Sequence, residues 1–133
     1  MRSLIVEDDP ISGKMLLKVL SAYGHCDLAE NGRQAIDTFK QSLDQAEPYD
    51  LICMDISMPG MDGQKTLRRI REIEKKAGID NDHEVKVFMT TAMNETSQVS
   101  DALFNGGASG YFVKPLRVEA FIEELKHLDL IGD

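Results

Sequence analysis

Short apolar runs alternate along the chain with longer stretches in which apolar residues recur every three or four positions. The short runs predict buried strands, because they are bounded by polar or turn-forming residues and are too short for helices. We expect strands at residues 4–6, 25–30, 51–55, 85–90 and 110–113. The second of these runs has the weakest apolar pattern.

Helical spacing predicts a helix after each strand. Asp9 followed by Pro10 is typical of an N-cap and a first helical residue, so the first helix is expected over residues 10–23, ending before Gly24. Its apolar residues are predicted to form one buried stripe; they are Ile11, Met15, Leu16, Val19 and Leu20. Further helices are expected around residues 35–43, 67–73, 95–105 and 118–128. The polar loop 78–84 contains no motif that predicts a structure.

Short apolar strands that alternate with helices predict a parallel sheet covered by helices on both faces. The expected fold class is therefore α/β, a doubly wound domain of five parallel strands and five helices. With 133 residues the chain is long enough to bury one core of ordinary size. We expect a single domain over residues 1–133, with no output domain.

The charge balance disfavours two classes of partner. Fifteen Lys and Arg residues face 23 Asp and Glu residues, which gives a net charge of -8. A nucleic acid or an anionic membrane surface would be repelled by this charge. We therefore expect neither a nucleic-acid partner nor membrane insertion.

The compartment is predicted from the first residues and from the cysteines. The start of the chain lacks the pattern of a signal peptide, and no apolar run approaches 18 residues. Cys26 and Cys53 both fall in strand-like runs, which favours small buried thiols over a disulfide or a metal pair. These observations favour the cytoplasm.

Polar residues that could take part in catalysis or ligand binding follow four of the five predicted strands. In an open parallel sheet, ligands bind beyond the carboxyl ends of the strands, so these residues are expected to meet at one edge. Taken singly, each has an ordinary interpretation; Asp55, for example, could cap the turn at Pro59 and Gly60. Their common placement favours a functional site. The residues are Glu7, Asp8, Asp55, Thr91 and Lys114.

Three carboxylates at one edge require a counter-charge. Two of them 4 Å apart repel by about 1 kcal/mol in water and by about 4 kcal/mol at an effective dielectric constant of 20. Oxygen ligands with room for water favour Mg²⁺, although Mn²⁺ or Ca²⁺ would satisfy the same ligands. With such an ion, Asp55 can act as a nucleophile toward phosphorus, while Lys114 balances charge and Thr91 donates a hydrogen bond to a phosphoryl oxygen.

The candidate site residues lie in four segments with a distinctive sequence. The segments are Leu4-Ile5-Val6-Glu7-Asp8-Asp9, Met54-Asp55-Ile56-Ser57-Met58-Pro59-Gly60-Met61-Asp62-Gly63, Thr91-Ala92 and Gly107-Ala108-Ser109-Gly110-Tyr111-Phe112-Val113-Lys114-Pro115. They resemble the receiver domain of two-component response regulators, of the stand-alone single-domain type. They span nearly the whole chain in the order and spacing of that family, and the resemblance implies its flavodoxin-like (βα)5 fold.

The resemblance implies a role for each site residue. Asp55 would accept a phosphoryl group from a phosphohistidine on a sensor histidine kinase or a histidine phosphotransfer protein. Asp8, Asp55 and the backbone carbonyl of Ser57 would ligate Mg²⁺ directly, while Glu7 would act mainly through water. The Thr-Ala pair identifies Thr91, rather than the adjacent Thr90, as the switch partner of Tyr111. A cis peptide is implied between Lys114 and Pro115.

The resemblance also implies two contact faces. The first helix and the loop at Pro115 would dock the histidine partner, while the helix at 95–105, the strand at 110–113 and the last helix would form the output face. The chain would be a phosphorylation-dependent signalling switch that binds a downstream protein target, as a monomer or as a phosphorylation-dependent dimer. Shuttle and intermediate phosphorelay carrier both stay open.

The positions two residues after Asp55 and Thr91 influence in this family how long the phosphoryl group persists. They are Ser57 and Met93, neither of which carries an acid or an amide that would position a hydrolytic water. We expect a moderately long-lived phosphoryl form.

A Mg²⁺-dependent phosphatase or phosphotransferase of the haloacid-dehalogenase type is the alternative, because such enzymes also use an aspartyl phosphate in a doubly wound fold. They resemble the pattern Asp-x-Asp, in which the second Asp is the general acid. Ser57 stands at that position and cannot take the role, which favours a phosphoacceptor switch that is not an enzyme beyond assisting its own phosphorylation and dephosphorylation. The three His residues are isolated from one another, so no internal phosphohistidine relay is expected.

Overall fold

Five parallel strands form one sheet in a computed structural model that describes residues 1–58, 60–92 and 107–132. The strand order is β2-β1-β3-β4-β5, so β1 and β3 are adjacent although β2 lies between them in sequence. The strands are β1 Ser3–Val6, β2 Cys26–Ala29, β3 Leu51–Asp55, β4 Lys86–Thr91 and β5 Gly110–Val113. The predicted α/β class with a parallel sheet is confirmed.

Four α-helices connect and follow the strands in the described ranges. They are α1 Pro10–Ser21, α2 Gly32–Asp44, α3 Gly63–Lys76 and α4 Val118–His127. Their bounds differ from the sequence predictions by a few residues at most where both ends were predicted. The helix expected over residues 95–105 lies outside the described residues. Within the described ranges, no helix has both the length and the apolarity that a membrane crossing requires.

Polar side chains fix the starts of the first three helices. The carboxylate of Asp9 accepts from the Ile11 backbone N–H at 3.3 Å and from the Ser12 hydroxyl at 2.8 Å. Asn31 and Asp62 cap α2 and α3 in the same way. Each cap satisfies a backbone N–H that has no partner inside the helix, so the turns after the strands end at defined positions.

The core lies on both faces of the sheet. One apolar cluster joins α2 and α3 to the face that carries Met54 and Met89. The other joins α1 and α4 to the face that carries Cys53 and Phe88. Strands β1 and β3 are buried along their whole length because they have neighbours on both sides and helices on both faces.

The predicted buried stripe of α1 was partly wrong. Leu16 and Leu20 are buried and Val19 is half-buried, but Ile11 is 80% exposed and Met15 is 37% exposed. The face of α1 toward the sheet is set by Leu16, Leu20 and the buried Gly13. At 3.6 residues per turn, Ile11 and Met15 project roughly to the opposite side of the helix from that face.

The loop at residues 78–84, for which the sequence predicted no structure, contains a 3₁₀ turn at Asn81–His83. Asp80 caps it, since its carboxylate accepts from the His83 backbone N–H at 3.1 Å and lies 2.6 Å from the His83 Nδ1. The turn leads directly into β4. Asp is among the residue types that favour caps and turns, so Asp80 was a sequence feature that could have indicated this turn.

The two cysteines are free thiols, with Cys53 buried and Cys26 half-buried. Burial raises the pKa of both thiols. The expectation of small buried side chains is therefore confirmed for Cys53 and holds in part for Cys26.

Candidate functional site

Glu7 and Asp55 stand side by side at the carboxyl ends of two adjacent strands. Val6 is paired with Met54 in the β1–β3 ladder, so the next residue on each strand lies at the same level of the sheet. Glu7 is 3% exposed and Asp55 6%, whereas Asp8 is exposed. Carboxylate oxygens of these three acids lie within 4.8 Å of one another. The gathering of acids predicted from the strand ends is present.

Lys114 brings a positive charge to the two buried acids. It follows β5, and its backbone N–H donates to the Thr91 carbonyl at 2.7 Å, which fixes the strand end beside β4. Its Nζ lies 3.1 Å from Glu7 Oε2 and 3.4 Å from Asp55 Oδ2. Burial opposes the ammonium charge, but the hydrogen bond to Glu7 and the attraction of both carboxylates outweigh it and raise the pKa of Lys114.

One ammonium does not neutralise two buried carboxylates. Burial, followed by the negative charge of Asp55, raises the pKa of Glu7 to about 7. Burial also raises the pKa of Asp55, against the attraction of Lys114. Both raised pKa values mean that the attraction of Lys114 does not offset the cost of burying the negative charges of Glu7 and Asp55.

The donor set fits a hard cation. All three acids offer carboxylate oxygens, the ligand type that Mg²⁺ and Ca²⁺ prefer. Glu7 Oε2 is buried and forms no hydrogen bond within the described residues, although it lies in ion-pair range of Lys114. A divalent ion here would supply the missing positive charge and would give this oxygen a second cationic partner.

Asp55 is held by the turn that follows it. Its Oδ1 accepts from the Ser57 backbone N–H at 3.2 Å, and the next residue, Ile56, donates its N–H to the Thr90 carbonyl at 2.9 Å. Gly63, the first residue of α3, packs against this strand end. A Cβ at Gly63 would lie 2.5 Å from the Asp55 carbonyl oxygen, so only glycine permits this approach. Apart from the glycine itself, no feature of the sequence indicated this contact.

Thr91 and Tyr111 lie on one face of the sheet. Met89 pairs with Tyr111, and Thr91 follows Met89 by two residues on β4, so their side chains point to the same side. Thr91 is buried and its hydroxyl donates to the Ala92 carbonyl at 3.1 Å, while Tyr111 is 46% exposed. Thr90 pairs with Asp55 and points to the other face. In the part of the chain that the structure describes, no hydrogen bond joins Thr91 or Tyr111 to the acids.

An apolar groove opens beside the site. It lies between α1 and the segment after β5, where the peptide bond between Lys114 and Pro115 is cis. The exposed side chains of Ile11 and Met15, which the stripe prediction had placed in the core, form one wall of it. The groove is lined by Glu7, Ile11, Ser12, Met15, Leu16, Lys114, Pro115 and Leu116.

The site and fold agree with a family match that covers most of the chain. Residues 3–126 match the response regulator receiver domain. The chemotaxis protein CheY of Bacillus subtilis (strain 168) is 33% identical over 126 residues, which cover 93% of this chain and 93% of that protein. Probable histidine kinase 2 of Oryza sativa subsp. indica is 31% identical over 133 residues, which cover 92% of this chain but 12% of that protein.

A solved structure gives the same result at the level of the fold. The receiver domain of the histidine kinase CKI1 from Arabidopsis thaliana, complexed with Mg²⁺ and BeF₃⁻, is 26% identical with a TM-score of 0.77. The similarity covers 95% of this chain and 89% of that chain. The chain therefore belongs to the receiver-domain family of two-component signalling, as its motifs predicted, and its relatives include the receiver portions of histidine kinases.

Proposed function

We propose that this receiver domain is a switch in which Asp55 accepts a phosphoryl group from a phosphohistidine of a partner protein. The observation that supports this most directly is the meeting of Glu7, Asp8, Asp55 and Lys114 at one edge of the sheet. Asp55 is nearly buried and is the last residue of its strand at this edge. Its carboxylate therefore lies beside Glu7, Asp8 and Lys114.

The site would hold Mg²⁺, with Mn²⁺ or Ca²⁺ as substitutes. Its ligands would be Glu7, Asp8, Asp55 and the backbone carbonyl of Ser57. When bound, the ion supplies positive charge to the phosphoryl oxygens. The raised pKa values of Glu7 and Asp55 support this assignment, because Lys114 alone does not offset the cost of burying both negative charges. The Arabidopsis receiver domain complexed with Mg²⁺ and BeF₃⁻ is a related protein in which both groups are present.

The chemical step is an exchange of one bond to phosphorus for another. A carboxylate oxygen of Asp55 attacks the phosphorus, the bond from phosphorus to the imidazole nitrogen breaks, and the nitrogen keeps the electron pair. The departing imidazole takes up a proton from solvent, so the products are an acyl phosphate on Asp55 and a neutral histidine on the donor. Lys114, which already lies 3.4 Å from Asp55 Oδ2, stabilises the charge that moves onto this side of the site.

Thr91 and Tyr111 would carry the change outward. The Thr91 hydroxyl, which donates to the Ala92 carbonyl, would turn to a phosphoryl oxygen, and Tyr111 would rotate from its exposed position into the space left behind. Their placement on one face of the sheet supports this coupling. The altered surface at β5 would then bind a downstream protein, with the chain as a monomer or a phosphorylation-dependent dimer.

The groove between α1 and Pro115 would receive the donor. It opens directly onto Lys114 and Glu7, so a phosphohistidine carried on a helix of the donor would reach the site from this side. Exposed Ile11 and Met15 provide apolar contacts that can adapt to a partner helix. The donor class is a sensor histidine kinase or a histidine phosphotransfer protein.

The test is phosphorylation by acetyl phosphate in the presence of Mg²⁺. The wild-type protein should gain the mass of one phosphoryl group, in a linkage cleaved by hydroxylamine, and Asp55→Asn should not. Asp37→Asn, an exposed acid of α2, is the matched control and should behave as wild type. Equal or hydroxylamine-resistant phosphorylation of Asp55→Asn would refute the proposal. Sustained turnover of the phosphodonor would instead favour the phosphatase alternative.

A further inference from the structure

Helix α3 carries a charge opposite to that of the rest of the chain. Its 14 residues include six Lys or Arg side chains and two Glu side chains, a net charge of +4. The whole chain has a net charge of -8, so the remaining residues carry -12. Helix α3 begins beside the acidic site, where Gly63 packs against Asp55, but an excess of positive charge of this size along the helix is not explained by the proposed phosphoryl chemistry.

The positive charges of α3 lie on one face. Leu67, Ile70 and Glu74 are buried and define the side that faces the protein. The outward side consists of exposed positions that recur at helical spacing, of which Glu72 is the one acid. The exposed cations are Lys65, Arg68, Arg69, Lys75 and Lys76, and we call this set the α3 basic face.

Most of this face lacks a partner within the protein. Arg69 pairs with Glu72 at 2.9 Å, and Arg71, which is half-buried beside the face, pairs with Glu74 at 2.6 Å. Among the residues that the structure describes, no ion pair is formed by the other four cations of the face, which are Lys65, Arg68, Lys75 and Lys76. These four cations are therefore available to pair with acidic groups of a partner.

Two shallow grooves extend the face on either side. One lies against α2, where Lys40 joins Arg69 and Lys76, with Asp44 and Glu72 as the opposing acids. The other is lined by Arg68, Arg71 and Lys75, with Glu72 and Glu84 as the acids. The cations outnumber the acids in both grooves, so a bound chain would meet positive charge across the width of the helix.

We propose that the α3 basic face docks an acidic segment of a partner protein. The cations extend over 11 helical steps, about 16 Å, which matches a short helix or extended segment with several Asp or Glu residues. A longer polyanion such as a nucleic acid would extend over surfaces where the remaining charge of -12 repels it. A membrane surface is disfavoured because the exposed positions of α3 hold no apolar side chain to insert.

The face acts independently of the site at Asp55, since none of its side chains contacts Glu7, Asp55 or Lys114 in the described residues. The measurement is fluorescence anisotropy of a labelled 12-residue helical peptide of Ala and Glu, titrated with the unphosphorylated protein at low and moderate salt. The double variant Arg68→Gln/Lys75→Gln removes two unpaired cations from the face. The matched control, Lys14→Gln/Lys18→Gln, removes two exposed cations from α1.

We expect the Arg68→Gln/Lys75→Gln variant to bind about fivefold more weakly than wild type, because two charge contacts are lost. The α1 control and Asp55→Asn should stay within about twofold of wild type, and added salt should weaken all binding. Equal loss in the α1 control would refute a specific face. If a single-stranded oligonucleotide of equal charge binds more tightly than the peptide, the proposal of an acidic protein partner is wrong and the partner is a nucleic acid. A salt-sensitive dimer of wild type that the α3 variant abolishes would make the partner a second copy of this chain.

Discussion

Lys114 Nζ lies 3.1 Å from Glu7 Oε2, across 107 positions of sequence. Lys114→Met would leave Glu7 and Asp55 together without the cation that faces both of them. Because the lysine is partly exposed, we expect the free energy of unfolding to fall by about 1–3 kcal/mol at pH 8, between the values for a surface ion pair and a buried one. Urea unfolding at this pH measures it.

Lys126→Met is the control for Lys114→Met, because Lys126 pairs with the exposed Glu123 at 3.9 Å. We expect its effect to stay below about 0.5 kcal/mol. Equal unfolding midpoints for Lys114→Met and wild type would show that the lysine does not stabilise the two acids.

Gly63→Ala should destabilise the protein by about 1–3 kcal/mol, because its methyl group would lie 2.5 Å from the Asp55 carbonyl oxygen and force α3 away from the strand end. The same displacement should slow phosphorylation by acetyl phosphate. Gly132→Ala, with nothing within 4 Å of the added methyl group, should be neutral. Thermal unfolding together with the phosphorylation rate tests both effects, and wild-type behaviour of Gly63→Ala would contradict the described approach.

Glu74 should make stability depend on pH. Burial raises the pKa of its carboxyl group above 4.5, against the hydrogen bonds that it accepts from Arg71 at 2.6 Å and the Val85 N–H at 2.7 Å. A raised pKa means that its contribution to stability is full below pH 4.5 and is lost as pH rises through the folded-state pKa. The difference in unfolding free energy between wild type and Glu74→Gln should therefore fall as pH rises.

The baseline for Glu74→Gln is Glu72→Gln, which removes an exposed carboxyl from the same helix. Urea unfolding at several pH values between 4 and 8 gives both differences. A difference between wild type and Glu74→Gln that rises with pH would show that the paired, charged form of Glu74 is favoured over the neutral one.

The phosphoryl group on Asp55 should persist, since Ser57 has no amide or acid that positions a hydrolytic water. Met93, the second position of this prediction, lies outside the described residues. Ser57→Asn should shorten the phosphoryl lifetime, while Ser57→Ala should not, and neither change removes the Ser57 backbone carbonyl. Loss of the acyl phosphate over time in Mg²⁺ buffer measures this. A half-life of a few seconds for wild type would contradict the prediction.

The sheet and the site edge could be predicted because apolar strands are short, uniform and separated by helices, and because parallel strands bring their ends to one edge. The burial of α1 could not be predicted in the same way. Ile11 and Met15 are as apolar as Leu16, and the side of the helix that meets the sheet is evident only in the structure, where Gly13 lies close to Leu28 while Ile11 is exposed. The contact of Gly63 with Asp55 could not be predicted from the sequence either, because it depends on the angle at which α3 leaves the turn.

The long separation between Lys114 and the acids bears on how the protein is made. Synthesis delivers Glu7, Asp8 and Asp55 first, and Lys114 follows Asp55 by 59 positions. The lysine reaches the acids only when β5 has paired with β4, since its backbone N–H is held by Thr91. A chain in which β5 has not yet paired with β4 therefore holds its acids without the ammonium group that faces them in the folded protein, and this edge of the sheet is more negative until the last strand is in place.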